Sequence, residues 1–141
     1  MSAHISEFPV GTYKKAHRHG SGAHVVIIGG EGYSLMWPEG EPIQRFDWRD
    51  GSVVVPPENW FHQHFNTGAT PARYLALKAR GRKHLRPWGS KIYAVDQSVA
   101  GGGDQIEYED EDPKIRRMFE EALAKNGVKS RMPPLAARAT A

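Results

Sequence analysis

The feature that most constrains this chain is its punctuation. Fifteen glycines and ten prolines are spread through 141 residues. They cut the first hundred residues into short runs of β-branched and aromatic residues. Val25–Ile28 is a β-branched run ended by Gly29 and Gly30. Gly32–Trp37 alternates, Pro38–Pro42 reads as a loop, and Ile43–Trp48 alternates again. Asp50-Gly51 is a turn signal, and Val53–Val55 is a buried run stopped by Pro56 and Pro57. Trp60–Asn66 is rich in aromatics and histidine, and Ala72–Ala79 closes the series after the Thr67–Pro71 turn. With a lead-in strand around Phe8–Val10, about seven short strands are expected, and a sandwich or barrel is their natural solution.

The last third reads differently. Asp112 caps a helix with Pro113 in its first position, and Ile115, Met118, Phe119, Ala122 and Leu123 recur at helical spacing before Asn126-Gly127. That stripe is expected to cover a barrel face or a partner subunit. The expected organisation is a barrel over 1–100, an acidic loop and amphipathic helix over 101–130, and a flexible tail over 131–141. Residues 94–108 read as a loop.

Several function classes fall away early. With no cysteine there is no disulfide scaffold, thiolate metal site or cysteine nucleophile. No apolar run approaches a membrane span, and the opening residues read as no secretory signal, so a cytoplasmic protein is expected. The net charge is only +3. A basic stretch (Lys78, Arg80, Arg82, Lys83, Arg86, Lys91) and an acidic one (Asp104, Glu107, Glu109 to Asp112) read as solvated loops or as mutually attracting patches. No base-reading motif accompanies the basic stretch, so no nucleic-acid partner is expected.

The chemistry lies in the histidines. His17, His19 and His24 form one cluster, and His62 and His64 another. On a strand, His-x-His places both rings on one face. Two such imidazoles and a third from a neighbouring strand make a facial metal site with open positions.

The spacing of these residues resembles the cupins. Gly11, five residues, His17-Arg18-His19 and then Gly30 follow their first motif. Gly51, five residues, Pro57, Asn59, His62 and Asn66 follow the second, with Asn59 where that motif has glycine. The resemblance implies a cupin-type β-barrel, or double-stranded jelly roll, with one C-terminal helix. It also implies a metal on His17, His19 and His62. The carboxylate ligand of the first motif is missing: Ala23 or His24 occupies its place. His24 is therefore a fourth candidate ligand. Such a site resembles the all-histidine cupins, several of which are iron-dependent oxygenases. Fe(II) is the favoured metal, with Mn(II), Ni(II), Cu(II) or Zn(II) as alternatives. The implied activity is oxygenation of a small anionic or chelating substrate. The alternatives are non-redox isomerisation, elimination or decarboxylation, and ligand binding without catalysis. His64 is expected to move protons or to pack in the barrel mouth, and Tyr33 to hydrogen-bond substrate. Arg73 and Lys78 are weaker candidates for pairing with a substrate carboxylate. A homodimer is expected. The chain is also short enough to be one half of a two-cupin protein.

Overall fold

A computed structural model describes residues 2–20, 22–78 and 97–134. The elements in order are β1 (Ser2–Phe8), β2 (Ala16–His17), β3 (Ala23–Gly29), β4 (Glu31–Trp37), β5 (Gln44–Arg49), β6 (Val53–Val54), β7 (Phe61–Asn66) and β8 (Ala72–Lys78). A 3-10 turn at Val99–Gly101, β9 (Gln105–Ile106) and the helix α1 (Pro113–Lys125) follow. All described strand pairs are antiparallel and lie in two sheets. One has the order β1-β8-β3-β6 and the other β5-β4-β7-β2-β9.

The two sheets face each other. Between them lie Phe8, Val25, Ile27, Val54, Tyr74 and Ala76 from the first, and Met36 and Trp48 from the second. Each strand supplies this layer with every second residue, as the pleat requires. A second core lies outside the five-stranded sheet. There Tyr13, Tyr33, Leu35 and Phe65 meet Ile115, Phe119, Ala122 and Leu123 of α1. Asp112 Oδ1 accepts the Lys114 N–H and so caps the helix, and Asn126 and Gly127 (φ +65°) end it. The apolar stripe of α1 is thus spent inside the molecule.

Three expectations need correction. The first strand is Ser2–Phe8, so it ends where it was expected to begin. Its polar sequence hid it, because its outward side chains are exposed and only Phe8 is buried. The expected loop over 94–108 contains β9, which pairs with β2 (Ala16 opposite Ile106). Residues 131–134, expected to start a loose tail, run back to the sheet: Arg131 N–H donates to Gly11 O, and Tyr13 N–H reaches Met132 Sδ. Residues 135–141 and the basic stretch from Arg80 to Lys91 lie outside the described residues.

Candidate metal centre

Strands β2 and β7 bring the first three histidines together. His17 pairs directly with His62 across the ladder. His19 lies just beyond β2, where its carbonyl accepts the Asn59 N–H at 3.1 Å. Asn59 has φ +61°, a left-handed backbone that asparagine tolerates and that glycine supplies in the motif. The ring centroids of His17 and His62 are 4.4 Å apart, those of His19 and His62 4.9 Å, and those of His17 and His19 5.8 Å. One ring nitrogen from each falls within 4.8 Å of the other two.

Two of these rings are oriented from behind. His62 Nδ1 lies 3.1 Å from the Trp60 carbonyl, and His17 Nδ1 lies 3.3 Å from the Lys15 carbonyl. A carbonyl only accepts, so each Nδ1 carries the proton and donates it. Each Nε2 then keeps its lone pair, as a metal ligand must. Between His17 and His19, Arg18 turns away. Its Nε donates to Asp104 at 3.0 Å and its Nη1 to Glu39 at 2.7 Å, and its guanidinium lies 4.6 Å from the Phe61 ring. The loop carrying two of the histidines is thereby tied to β9 and to the β4–β5 connection.

Burial favours the uncharged form of His62 and His64. The pKa of His62 is held well below the ordinary imidazole value, first by burial and then by neighbouring His17, His64 and His19. His64 is pushed down to about 3, again first by burial, then by His17, Lys14 and His19. Neutral imidazoles are the form that binds a divalent metal. The donor set and its orientation fit such an ion.

His64 stands beside the trio, 5.9 Å from the His62 ring centroid. Trp48 Nε1–H donates to Ser34 Oγ at 3.0 Å, and Ser34 Oγ lies 2.7 Å from His64 Nδ1. Indole N–H can only donate, so Ser34 accepts from Trp48; with the serine proton directed at Nδ1, the neutral His64 ring carries its own proton on Nε2.

The structure separates the other candidates from this group. His24 is exposed on the outer face of β3, and Ala23 is the buried neighbour. The pleat allows only one of them to face inward. Tyr33 also takes the other face. In the β4–β7 register Ser34 lies opposite His64 and Met36 opposite His62, so Tyr33 lies opposite Phe65. It stacks on Phe65 at 4.5 Å beneath α1, with the Arg45 guanidinium 3.9 Å from its ring. Tyr33 is therefore a core residue on the helix side. Arg73 pairs with Glu7 at 3.2 Å on the outside of β8.

Two arrangements went unseen in the sequence. The first is Lys14. From Tyr13 opposite Phe65 to His17 opposite His62, one strand advances four residues while the other advances three. That extra residue is a bulge, a device that re-aims a side chain. Lys14 faces inward by alternation from Tyr13, and the bulge turns His17, three residues on, to the same inward side. Lys14 Nζ donates to Ser6 Oγ at 2.6 Å and to Tyr74 OH at 3.1 Å, and lies 4.9 Å from the Tyr74 ring. Lys14 and His17 also line an open cleft of about 610 Å³, together with Phe8, Gln105, Tyr108 and Met132. The second arrangement is a buried clamp. Glu111 accepts from Tyr13 OH through one oxygen and from Gln63 Nε2 at 3.0 Å through the other. It joins the segment before His17 to the residue between His62 and His64.

No family model matches the chain, and no curated protein matches it. Solved structures do. Oxalate decarboxylase from Bacillus subtilis is similar over 52% of this chain and 20% of its own, at 19% identity and a TM-score of 0.50. The Drosophila melanogaster CENP-C cupin domain is similar over 55% of this chain and 56% of its own, at 10% identity and a TM-score of 0.52. The capsular polysaccharide assembling protein CapF from Staphylococcus aureus is similar over 60% and 25%, at 17% identity and a TM-score of 0.51. The chain thus spans less than two thirds of each of these relatives. Two facing antiparallel sheets, a histidine trio at the motif positions and these structural likenesses together show that the chain has the cupin fold.

Proposed function

We propose that this protein is a metal-dependent cupin enzyme that holds one divalent transition metal on His17, His19 and His62 and acts on a small anionic substrate. The observation that carries this reading is the convergence of three imidazole nitrogens within 4.8 Å, without a carboxylate among them. A neutral ligand set leaves a bound dication its full charge, which favours anionic, chelating substrates such as enolates, carboxylates or hydroxy acids. When bound, the metal supplies a Lewis acid and, as Fe(II), a centre able to pass electrons to dioxygen.

The protein's own residues have definable tasks. Lys14 uses two of its three N–H donors on Ser6 and Tyr74, and the third serves a substrate anion entering by the cleft. With Ser34 directed at its Nδ1, the neutral His64 ring offers its Nε2–H as a hydrogen bond to an adjacent anionic substrate atom, without giving up the proton. The buried aromatics Trp48 and Tyr74 limit water around that hydrogen bond. We read the chain as a cytoplasmic oxygenase using Fe(II), on the strength of the all-histidine set. The hydrogen bond that His64 can offer a developing anion favours a second reading, non-redox chemistry on a different metal. The oxalate decarboxylase likeness bears on that second reading, since that protein is described with Mn(II) centres.

Elemental analysis of anaerobically purified protein decides whether a metal is present and which. An oxygen electrode then separates the readings, using Fe(II) protein with β-diketones, hydroxy acids, catechols and thiols. Uptake without added reductant or 2-oxoacid is the result expected. Metal-free protein that refuses every divalent ion would refute both readings. Turnover of a hydroxy acid by the Mn(II) or Zn(II) form, without oxygen uptake, would establish the second.

A further inference from the structure

We propose that Tyr108 and Met132 are specificity-determining residues, selecting an anionic substrate whose chelating head bears an aromatic ring, an assignment that rests on the metal-site reading proposed above. Both line the open cleft that reaches Lys14 and His17. Both are also fixed by the main chain of one residue. Tyr13 N–H donates to Met132 Sδ at 3.4 Å, and the Tyr13 carbonyl accepts the Tyr108 OH at 2.8 Å. Tyr13 immediately precedes Lys14, so the two side chains are set beside the segment that supplies the cleft's ammonium group. Met132 is brought there by the chain returning from α1. Val128 N–H donates to Leu123 O at 2.9 Å, and Arg131 N–H to Gly11 O at 2.8 Å. A Cβ at Gly11 (φ +70°) would clash with the Lys129 carbonyl, so the return can pass this close only because residue 11 is glycine.

The lining chemistry names the ligand. Tyr108, Met132 and Pro133 present a ring, a thioether and a pyrrolidine, and Lys14, Lys15 and Arg131 bring positive charge. Lys15 is already paired with Glu107, which leaves Lys14 and Arg131 to attract an anion. None of the described lining residues is a carboxylate. The residues outside the described ones include Arg80, Arg82, Lys83, Arg86, Lys91 and Arg138 against Asp96, so as a group their charge has the same sign. A cationic cleft with apolar walls holds best an anion that carries an apolar body, whereas a short aliphatic acid leaves Tyr108 and Met132 facing water. A ring suits these walls better than a chain does. Thioether sulfur makes favourable contacts with aromatic edges, tyrosine packs on rings edge-on or offset, and a rigid ring has few rotors to freeze. The cleft volume of about 610 Å³ falls within the roughly 300–1,000 Å³ of sites that enclose ring-bearing ligands.

Calorimetric titration of the full chain, loaded with redox-silent Zn(II), tests the proposal with mandelate and lactate. These acids share one 2-hydroxycarboxylate head and differ by a phenyl ring in place of a methyl group. Wild type is expected to bind mandelate at least ~10-fold more tightly. Met132→Ala and Tyr108→Ala are each expected to cut that preference to about threefold or less, with lactate affinity unchanged. Met132→Leu, which keeps the apolar volume, is expected to retain it. A purely structural loss weakens both acids together, so the ratio separates the two roles. Circular dichroism checks folding, and Met132→Gln, of equal length but polar, replaces an alanine variant that does not fold. Equal affinity of wild type for the two acids overturns the proposal, as does a preference that survives both wall variants. Neither result touches the metal reading, which fails instead if no divalent ion binds. In that event the same acids are titrated against metal-free protein, where Lys14 and the walls alone are expected to give the same preference and its absence overturns the proposal.

Discussion

Strand β7 has two characters on its two sides. Toward the opposing sheet it presents His62, His64 and Asn66. Toward α1 it presents Phe61, Gln63 and Phe65. All six are buried, yet they do different work. The inward side chains are nitrogen donors oriented by carbonyls and a serine. Two of the outward ones are stacked rings and the third, Gln63, donates to Glu111: Phe65 lies between Tyr13 at 4.7 Å and Tyr33 at 4.5 Å, with Phe119 at 5.7 Å. One side is organised to bind and the other to hold the sheet rigid. A strand buried on both faces can carry both tasks because the pleat keeps them apart.

The sharpest way to break this contrast is on the inward side. His17→Ala, His19→Ala or His62→Ala should each abolish stoichiometric metal binding, a loss greater than the ~10–100-fold that removing an outer-shell partner costs. Titration by calorimetry or elemental analysis reads it, and His24→Ala should bind as wild type does. On the outward side, Phe119→Ala should lower folding stability by about 3–5 kcal/mol in urea denaturation, the range for truncating a buried aromatic. Its residual folded protein should still bind metal. High occupancy in a ligand variant, or selective metal loss in Phe119→Ala, would show that the two sides are not separable.

Alkaline titration probes the outward side alone. Burial raises the Tyr33 and Tyr13 pKa values well above 10, and for Tyr13 the Glu111 carboxylate adds to the effect. In the unfolded chain both ionise near the ordinary value. Their contribution to stability is therefore complete below pH 10 and is lost as pH rises beyond it, by about 1.4 kcal/mol per unit for each tyrosine. Denaturant midpoints measured from pH 9 to 11 should fall accordingly, and flat midpoints would contradict the burial.

The smallest effect has the opposite sign. Tyr33 OH is buried with no hydrogen-bond partner, whereas Tyr13 OH donates to Glu111. An unmade buried bond costs about 1–3 kcal/mol. Tyr33→Phe should accordingly stabilise the fold by roughly 1 kcal/mol, and Tyr13→Phe should destabilise it by about 1–3 kcal/mol. Equal shifts in melting temperature would remove the distinction.

The histidine trio could be read from spacing because its chemistry is local. Two imidazoles two residues apart, and a third set by its distance from Gly51, need only the period of a strand. The fold class was readable for a similar reason, since turns and β-branched runs are punctuated along the chain. Tyr33 was misplaced because alternation says that neighbours face opposite ways without saying which way faces the histidines. Only the pairing of Ser34 with His64 decides it. Lys14 follows from alternation only once Tyr13 is placed opposite Phe65, a pairing visible when both strands are laid side by side. The Glu111 clamp depends on a contact between residues 98 apart, and nothing at position 13 announces a partner at position 111.

That clamp also sets the order in which the protein can be assembled. The segment bearing His17 and His19 is held by Asp104, Gln105, Glu107 and Glu111, through Arg18, β2, Lys15 and Tyr13. On a ribosome, the two histidines emerge long before the residues that fix them. β2, β3, β4 and β7 can pair among their neighbours in the meantime, but the ties from Asp104 to Glu111 form only after residue 111 is made. Closing so long a loop late makes assembly slow, because loop entropy must be overcome before the contact rewards it. A nascent chain halted before residue 104 should consequently hold its three imidazoles through β7 and Asn59 alone, and bind a divalent ion more weakly than the full chain.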